Sequence, residues 1–226
     1  AYPSSGTPFV DHHSAFFSLL GIYFLILAIK NEKVYYWILL PIFLGFAFLS
    51  KQVPASYTII STILVLFLYM VIKKKYIWFQ YTFLSTSLFI IFLLILGKIH
   101  EISLSSFLEQ YIFYPQTIGE KRFDNFDITF RGVIGHFKFI YLAFIPLFYF
   151  NFKKILSENN YFKQNDFFYF LILILFTFSL IFHQLLTRNQ TFIFFLIPII
   201  IAISHININK NKKLISLIFV LFCLFI

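Results

Sequence analysis

Lysine and arginine fall almost entirely on alternate connections between long apolar runs, and that pattern leaves the chain few ways to fold. Runs dominated by Phe, Leu and Ile cover residues 14–29, 34–49, 57–72, 78–96, 133–152, 167–186, 191–206 and 214–226. Most approach the roughly 20 apolar residues that a bilayer-spanning helix needs. Barrel strands would alternate apolar and polar side chains over about ten positions, whereas these runs are apolar all round and of helical length. The expected architecture is therefore an all-α polytopic transmembrane bundle of about seven to eight spans, a single domain over residues 1–226.

The connections after the first, third, fifth and seventh runs carry Lys30, Lys33, Lys73, Lys74, Lys75, Lys153, Lys154, Lys163, Lys210, Lys212 and Lys213, eleven of the 18 basic residues. The other connections hold Lys51, Arg188 and a long loop in which five basic residues are balanced by five acids. Short cytoplasmic loops retain Lys and Arg, so the first set is expected inside and the second outside. Asp11, His12, His13, Lys51, His183 and Arg188 then share the outer face with the long loop.

Composition narrows the function classes. Hydrophobic residues make up 60% of the chain and charged residues 12%, with a mean hydropathy of +0.86. A soluble domain carries about twice that charge. The net charge of +9 would suggest nucleic acid in a soluble protein. Here the lysines sit in short juxtamembrane clusters that set orientation and meet anionic lipid heads, so no nucleic-acid partner is expected. Cys223 stands alone in an apolar run, which leaves neither a disulfide framework nor a thiolate metal site. The 36 Phe residues are enriched together with Ile, Lys, Asn and Tyr, all of which share AT-rich codons, and this bland reading is preferred to an aromatic site. The start at Ala1 and the short last run suggest that pieces are missing at both ends.

Residues 1–10, with Pro3, Gly6 and Pro8, read as an extended outer segment, and Asp11 or Ser14 can cap the helix that follows. Residues 50–56 form a tight hairpin that holds Lys51 at the membrane surface. The segment 97–136 is an outer loop of a length that is usually functional. Within it Leu104, Phe107, Leu108, Tyr111 and Ile112 recur at helical spacing, which predicts a short amphipathic helix lying along the interface and closed by Pro115.

Polar residues at helix ends and at membrane depth are costly, and each invites a functional reading beside a structural one. Asp11 with His12 and His13 offers oxygen and nitrogen ligands to a divalent metal, though neighbouring residues diverge on a helix and a plain helix cap explains them as well. Lys51, with Gln52 beside it, suits a lipid-linked phosphate as a point charge, or it anchors its helix by snorkelling. The planar fork of Arg188 could clamp a phosphate or carboxylate. His183 lies within the membrane on the same side, where a helix-to-helix hydrogen bond is the ordinary use of such a group. A glycine-rich phosphate loop, a nucleophile elbow and a zinc-protease motif are all absent from the sequence.

The run Asp11-His12-His13-Ser14-Ala15-Phe16-Phe17 opening a helix is followed by Leu44-Gly45-Phe46-Ala47-Phe48-Leu49-Ser50-Lys51. This order resembles the middle of the GT-C superfamily of membrane glycosyltransferases, which includes the dolichyl-phosphate-mannose mannosyltransferases and the aminoarabinose transferases that modify lipid A. Asp11 matches the family's Asp at the outer start of a mid-chain helix, and Gly45 with Ser50-Lys51 matches the signature closing the next. The Arg188 turn leading into Phe194-Phe195-Leu196-Ile197-Pro198 is similar to the family's late Arg and Pro span. The resemblance covers about two thirds of the chain. It implies inverting transfer of a sugar from a polyprenyl-phosphate donor to a lipid, glycan or protein acceptor at the periplasmic face of a bacterial inner membrane. Lys51, Gln52 and Arg188 would bind the phosphate, Asp11 would orient the acceptor or sugar, and His183 would support them. The family's acidic base belongs to a first loop expected upstream of Ala1. A divalent metal at Asp11, His12 and His13 is the one cofactor these residues could support.

A transporter or flippase is the rival outside enzymes. It would place charges near mid-bilayer in broken helices, whereas the charges here cluster at helix ends. An O-antigen ligase or polymerase is the rival among enzymes, since it too would use an outer loop and arginines.

Overall fold

The computed structural model describes residues 10–117, 129–187, 192–206, 217–218 and 221, with the backbone alone at 11, 192, 205 and 206. The described residues are helices and short turns, so the chain is an all-helical membrane protein. Helix α1 (Val10–Asn31) and α2 (Val34–Ser50) form a close antiparallel pair. Gly21 permits that approach, because a Cβ there would stand 2.7 Å from Cδ2 of Leu44. Helices α3 (Gln52–Lys73) and α4 (Tyr76–Ile99) follow, then a short helix α5 (Leu104–Leu108) that widens into a π turn over Glu109–Phe113. A second π turn, Arg131–Gly135, leads into α6 (Lys138–Ser157). The described chain continues with α7 (Asn165–Thr187), a 3-10 turn at Phe192–Phe195 and α8 (Leu196–Ile206).

Five helices are long and apolar enough to cross a membrane, namely α1 from His12, α3, α4, α6 and α7. Helix α2 is apolar but has 17 residues, which at about 1.5 Å per residue is slightly short of a hydrocarbon core of roughly 30 Å. The segment Ile193–Ser204 is shorter still. Of the last expected run only residues 217, 218 and 221 are described, all helical.

Helix α2 lies between α1 and α4, α3 packs along α7, and α6 packs along α8. The common core includes Leu25, Ile29, Trp37, Leu40, Tyr69, Phe168, Ile172 and Phe176. Trp37 stacks on Trp78 at 5.5 Å with the rings 11° from parallel, joining α2 to α4. Helix α4 forms the edge, with 6% of its apolar window buried. It is held at Gly45 of α2, where the ring of Phe89 occupies the place of a side chain, 2.3 Å from where a Cβ would stand. Gly45, matched above to a family signature, thus has a packing reason of its own.

The lysine-rich connections meet at one end of the bundle. Glu32, between α1 and α2, forms an ion pair with Lys75, between α3 and α4, and Tyr69 donates to the same carboxylate at 3.3 Å. Lys154 pairs with Asp166 across the α6 to α7 connection, and Asn165 donates to the carbonyl of Ile29 at 3.2 Å. Four of the connections expected on opposite sides therefore sort as the charge pattern required, with Lys51 at the far end.

Two boundaries differ from expectation for physical reasons. The hairpin expected over residues 50–56 is tighter, with Lys51 extended at φ −161 and ψ 126 and Val53 extended at φ −117 and ψ 119, so that α3 is kinked at Val53 and its regular helix follows. The extended Val53 is the conformation a residue before proline favours. The fifth span starts at Lys138 rather than Val133, since Val133 and Ile134 occupy the π turn.

Candidate functional site at the Lys51 end

At the end opposite the lysine clusters, three segments are tied together by hydrogen bonds. Ser14, in the second turn of α1, donates through Oγ to the carbonyl of Lys51 at 3.2 Å. It was expected as a helix cap. Because α1 already starts at Val10, the hydroxyl is released from that role and joins α1 to the α2–α3 turn. Gln52 Nε2 donates to the carbonyl of Tyr111 at 2.7 Å. In return the Tyr111 hydroxyl donates to the carbonyl of Phe48 at 2.7 Å and also meets that of Leu49. These carbonyls lie in the last turn of α2, where helix geometry leaves acceptors without intrahelical donors.

Tyr111 therefore fastens the long loop across the turn that carries Lys51. Its ring stacks on Phe107 at 5.1 Å and meets Phe48 edge-on at 6.0 Å. Burial pushes its phenol above the ordinary tyrosine value, which keeps the donor protonated. Ser103 caps the loop helix, accepting from the amide of Ser106 at 3.0 Å. Helical conformation covers residues 104–117 and so runs past Pro115, which was expected to close it. Proline's fixed φ is itself helical, and the π turn ahead of it accommodates the missing donor. Leu104, Phe107 and Leu108 are exposed.

The predicted site residues divide accordingly. Lys51 and Gln52 stand at the turn, both partly exposed, and the first turns of α1 lie beside them. His12 is partly exposed and His13 exposed. The backbone of Asp11 belongs to the first turn of α1, and its side chain lies outside the described residues. Arg188 also lies outside them, one residue beyond the end of α7. His183 is fully buried on α7, one turn from that end. Among the described residues no group of three or more His, Cys, Asp or Glu side chains could hold a metal ion.

Sequence reasoning passed over a second polar set. Ser18 on α1, Thr58 and Thr62 on α3, and Thr177 and Gln184 on α7 are each at most 4% exposed. None of their side-chain oxygens or nitrogens has a hydrogen-bond partner. Ser61 and Ser179, by contrast, bond each other at 2.8 Å, and Ser179 also reaches the carbonyls of Leu175 and Tyr57. The sequence held a signal for the set, because polar residues four or seven apart inside apolar runs share a helix face.

No protein-family model, no curated protein and no solved structure matches this chain.

Proposed function

We propose that the chain is part of a membrane glycosyltransferase that moves a sugar from a polyprenyl-phosphate donor to an acceptor at the outer, periplasmic face. The Lys51 turn carries the reading. A cation sits at the junction of three helix ends, and the long loop is fastened across it by Gln52 and Tyr111. A departing lipid phosphate needs positive charge at the membrane surface, and an ammonium with three donors supplies it there. Arg188, following α7, would give the second cation, with a planar fork that engages two phosphate oxygens. Asp11 would orient the acceptor or sugar.

The test is transfer to acceptor in membranes carrying Lys51→Ala or Arg188→Ala. Each substitution is expected to abolish transfer while membrane abundance stays at the wild-type level. Wild-type transfer in both variants would remove the phosphate site and the reading with it.

A further inference from the structure

The unpartnered polar set in the bundle interior was not used by the function proposed above. Helices α1, α3 and α7 contact one another, and their buried faces carry Ser18, Thr58, Thr62, Thr177 and Gln184. The set belongs to the Lys51 half of the bundle. Ser14 of α1 bonds Lys51, and Tyr57 of α3 meets Phe182 of α7 at 5.0 Å between ring centroids. Thr58 is about 6 Å and Thr62 about 12 Å along the regular helix that begins at Pro54, just after the Lys51 turn.

Hydroxyls of Ser and Thr inside helices commonly bond the carbonyl one turn back, as Ser56, Thr82, Thr86, Ser179 and Ser204 do here. Thr58, Thr62, Thr177 and Ser18 do not. Gln184 is 0% exposed and leaves both Nε2 and Oε1 unpartnered. Exchanging the two amide atoms changes nothing, since both need a partner. An anion would satisfy the nitrogen and leave the oxygen, and a cation would do the reverse. Only a group that both donates and accepts, a hydroxyl or water, completes the set. Lys and Arg do not occur among these buried residues, and neither do Asp and Glu, so nothing calls for a charged ligand.

We propose that the interior of the Lys51 half is a hydrated pocket that binds an uncharged, hydroxyl-rich group attached to an apolar chain. The proposal extends the function proposed above, because such a group would be the sugar of a ligand whose phosphate meets Lys51. Its test involves no transfer reaction, so the two can fail separately.

Single cysteines replace Thr58, Thr62, Thr177 and Gln184 in a Cys223→Ala background, with Leu180→Cys and Ile181→Cys as buried apolar controls on α7. Modification by a small water-soluble thiosulfonate is then timed in nanodiscs. Polar cavities hold water and apolar ones stay dry, so the four sites should react roughly tenfold faster than the controls. Octyl β-glucoside, at a few times its dissociation constant, should slow them about fivefold. The methyl-capped octyl tetraoxyethylene ether, whose oxygens all accept and none donates, should not. Equal rates at the four sites and the controls would overturn the hydrated pocket. Equal protection by the two amphiphiles, or none by either, would overturn the hydroxyl-rich ligand. Should Gln184→Cys fail to accumulate in the membrane, the Thr→Cys variants, which are close in size, decide the question.

Discussion

Tyr111→Phe removes one oxygen atom and should release the long loop from the Lys51 turn. The hydroxyl donates to the carbonyl of Phe48 at 2.7 Å and also meets that of Leu49, while the ring keeps its stack on Phe107 in the phenylalanine variant. A protein hydrogen bond contributes about 0.5–1.5 kcal/mol net, and losing a donor leaves a partly buried acceptor short of a partner. The tether is half-buried and water can reach these carbonyls in part, so the loss should be about 1–2 kcal/mol. That corresponds to a roughly 5–30-fold rise in the open population. Amide hydrogen exchange in nanodiscs reads this directly. Amides of residues 104–113 should exchange faster by that factor, and those of α3 and α7 should not change. Unaltered protection of the loop helix in Tyr111→Phe would refute the argument that this hydroxyl fastens it.

The same tether has a pH signature. Burial raises the Tyr111 phenol, so docking favours the protonated form. The contribution is complete below the ordinary tyrosine value of about 10 and fades as pH rises through the elevated value. A difference absorbance titration, wild type minus Tyr111→Phe, should show one phenolate transition above the ordinary range. Gly45→Ala should cost about 1–3 kcal/mol, because its methyl would meet the Phe89 ring. Thermal unfolding in detergent should show that loss and its partial recovery in a Gly45→Ala, Phe89→Leu double variant. The Glu32–Lys75 pair is more than a third exposed on both sides, so a double-mutant cycle should give less than about 1 kcal/mol of coupling. Lys51→Cys and Lys74→Cys should label with an impermeant thiol reagent from opposite sides of sealed vesicles, as the alternating charge pattern requires.

The apolar runs made the helices legible because period and length survive without tertiary information. The limits 76–99 of α4 and 52–73 of α3 extend only a few residues beyond the runs that predicted them. Charge placement likewise foresaw that Lys75 and Lys154 would share an end. What escaped was pairwise. Nothing local in the sequence says that Tyr111, on the apolar face of a loop helix, reaches carbonyls about sixty residues earlier. Ser14 read as a cap because the apolar run starts there, yet helical geometry begins at Val10, and a four-residue shift changes what a hydroxyl faces. Thr58 and Gln184 were hidden by their surroundings. A polar side chain in an apolar run signals burial, but only the packed structure tells whether a partner is waiting.

Lys51 as the cation for a lipid phosphate is tested most directly by the retention of a short-chain polyprenyl phosphate in native mass spectrometry. Wild-type protein should keep the lipid, Lys51→Arg should keep most of it, and Lys51→Gln should lose about tenfold in affinity, which corresponds to one charge-assisted contact of roughly 1.4 kcal/mol. Equal retention by wild type and Lys51→Gln, with the helical content unchanged, would contradict the assignment.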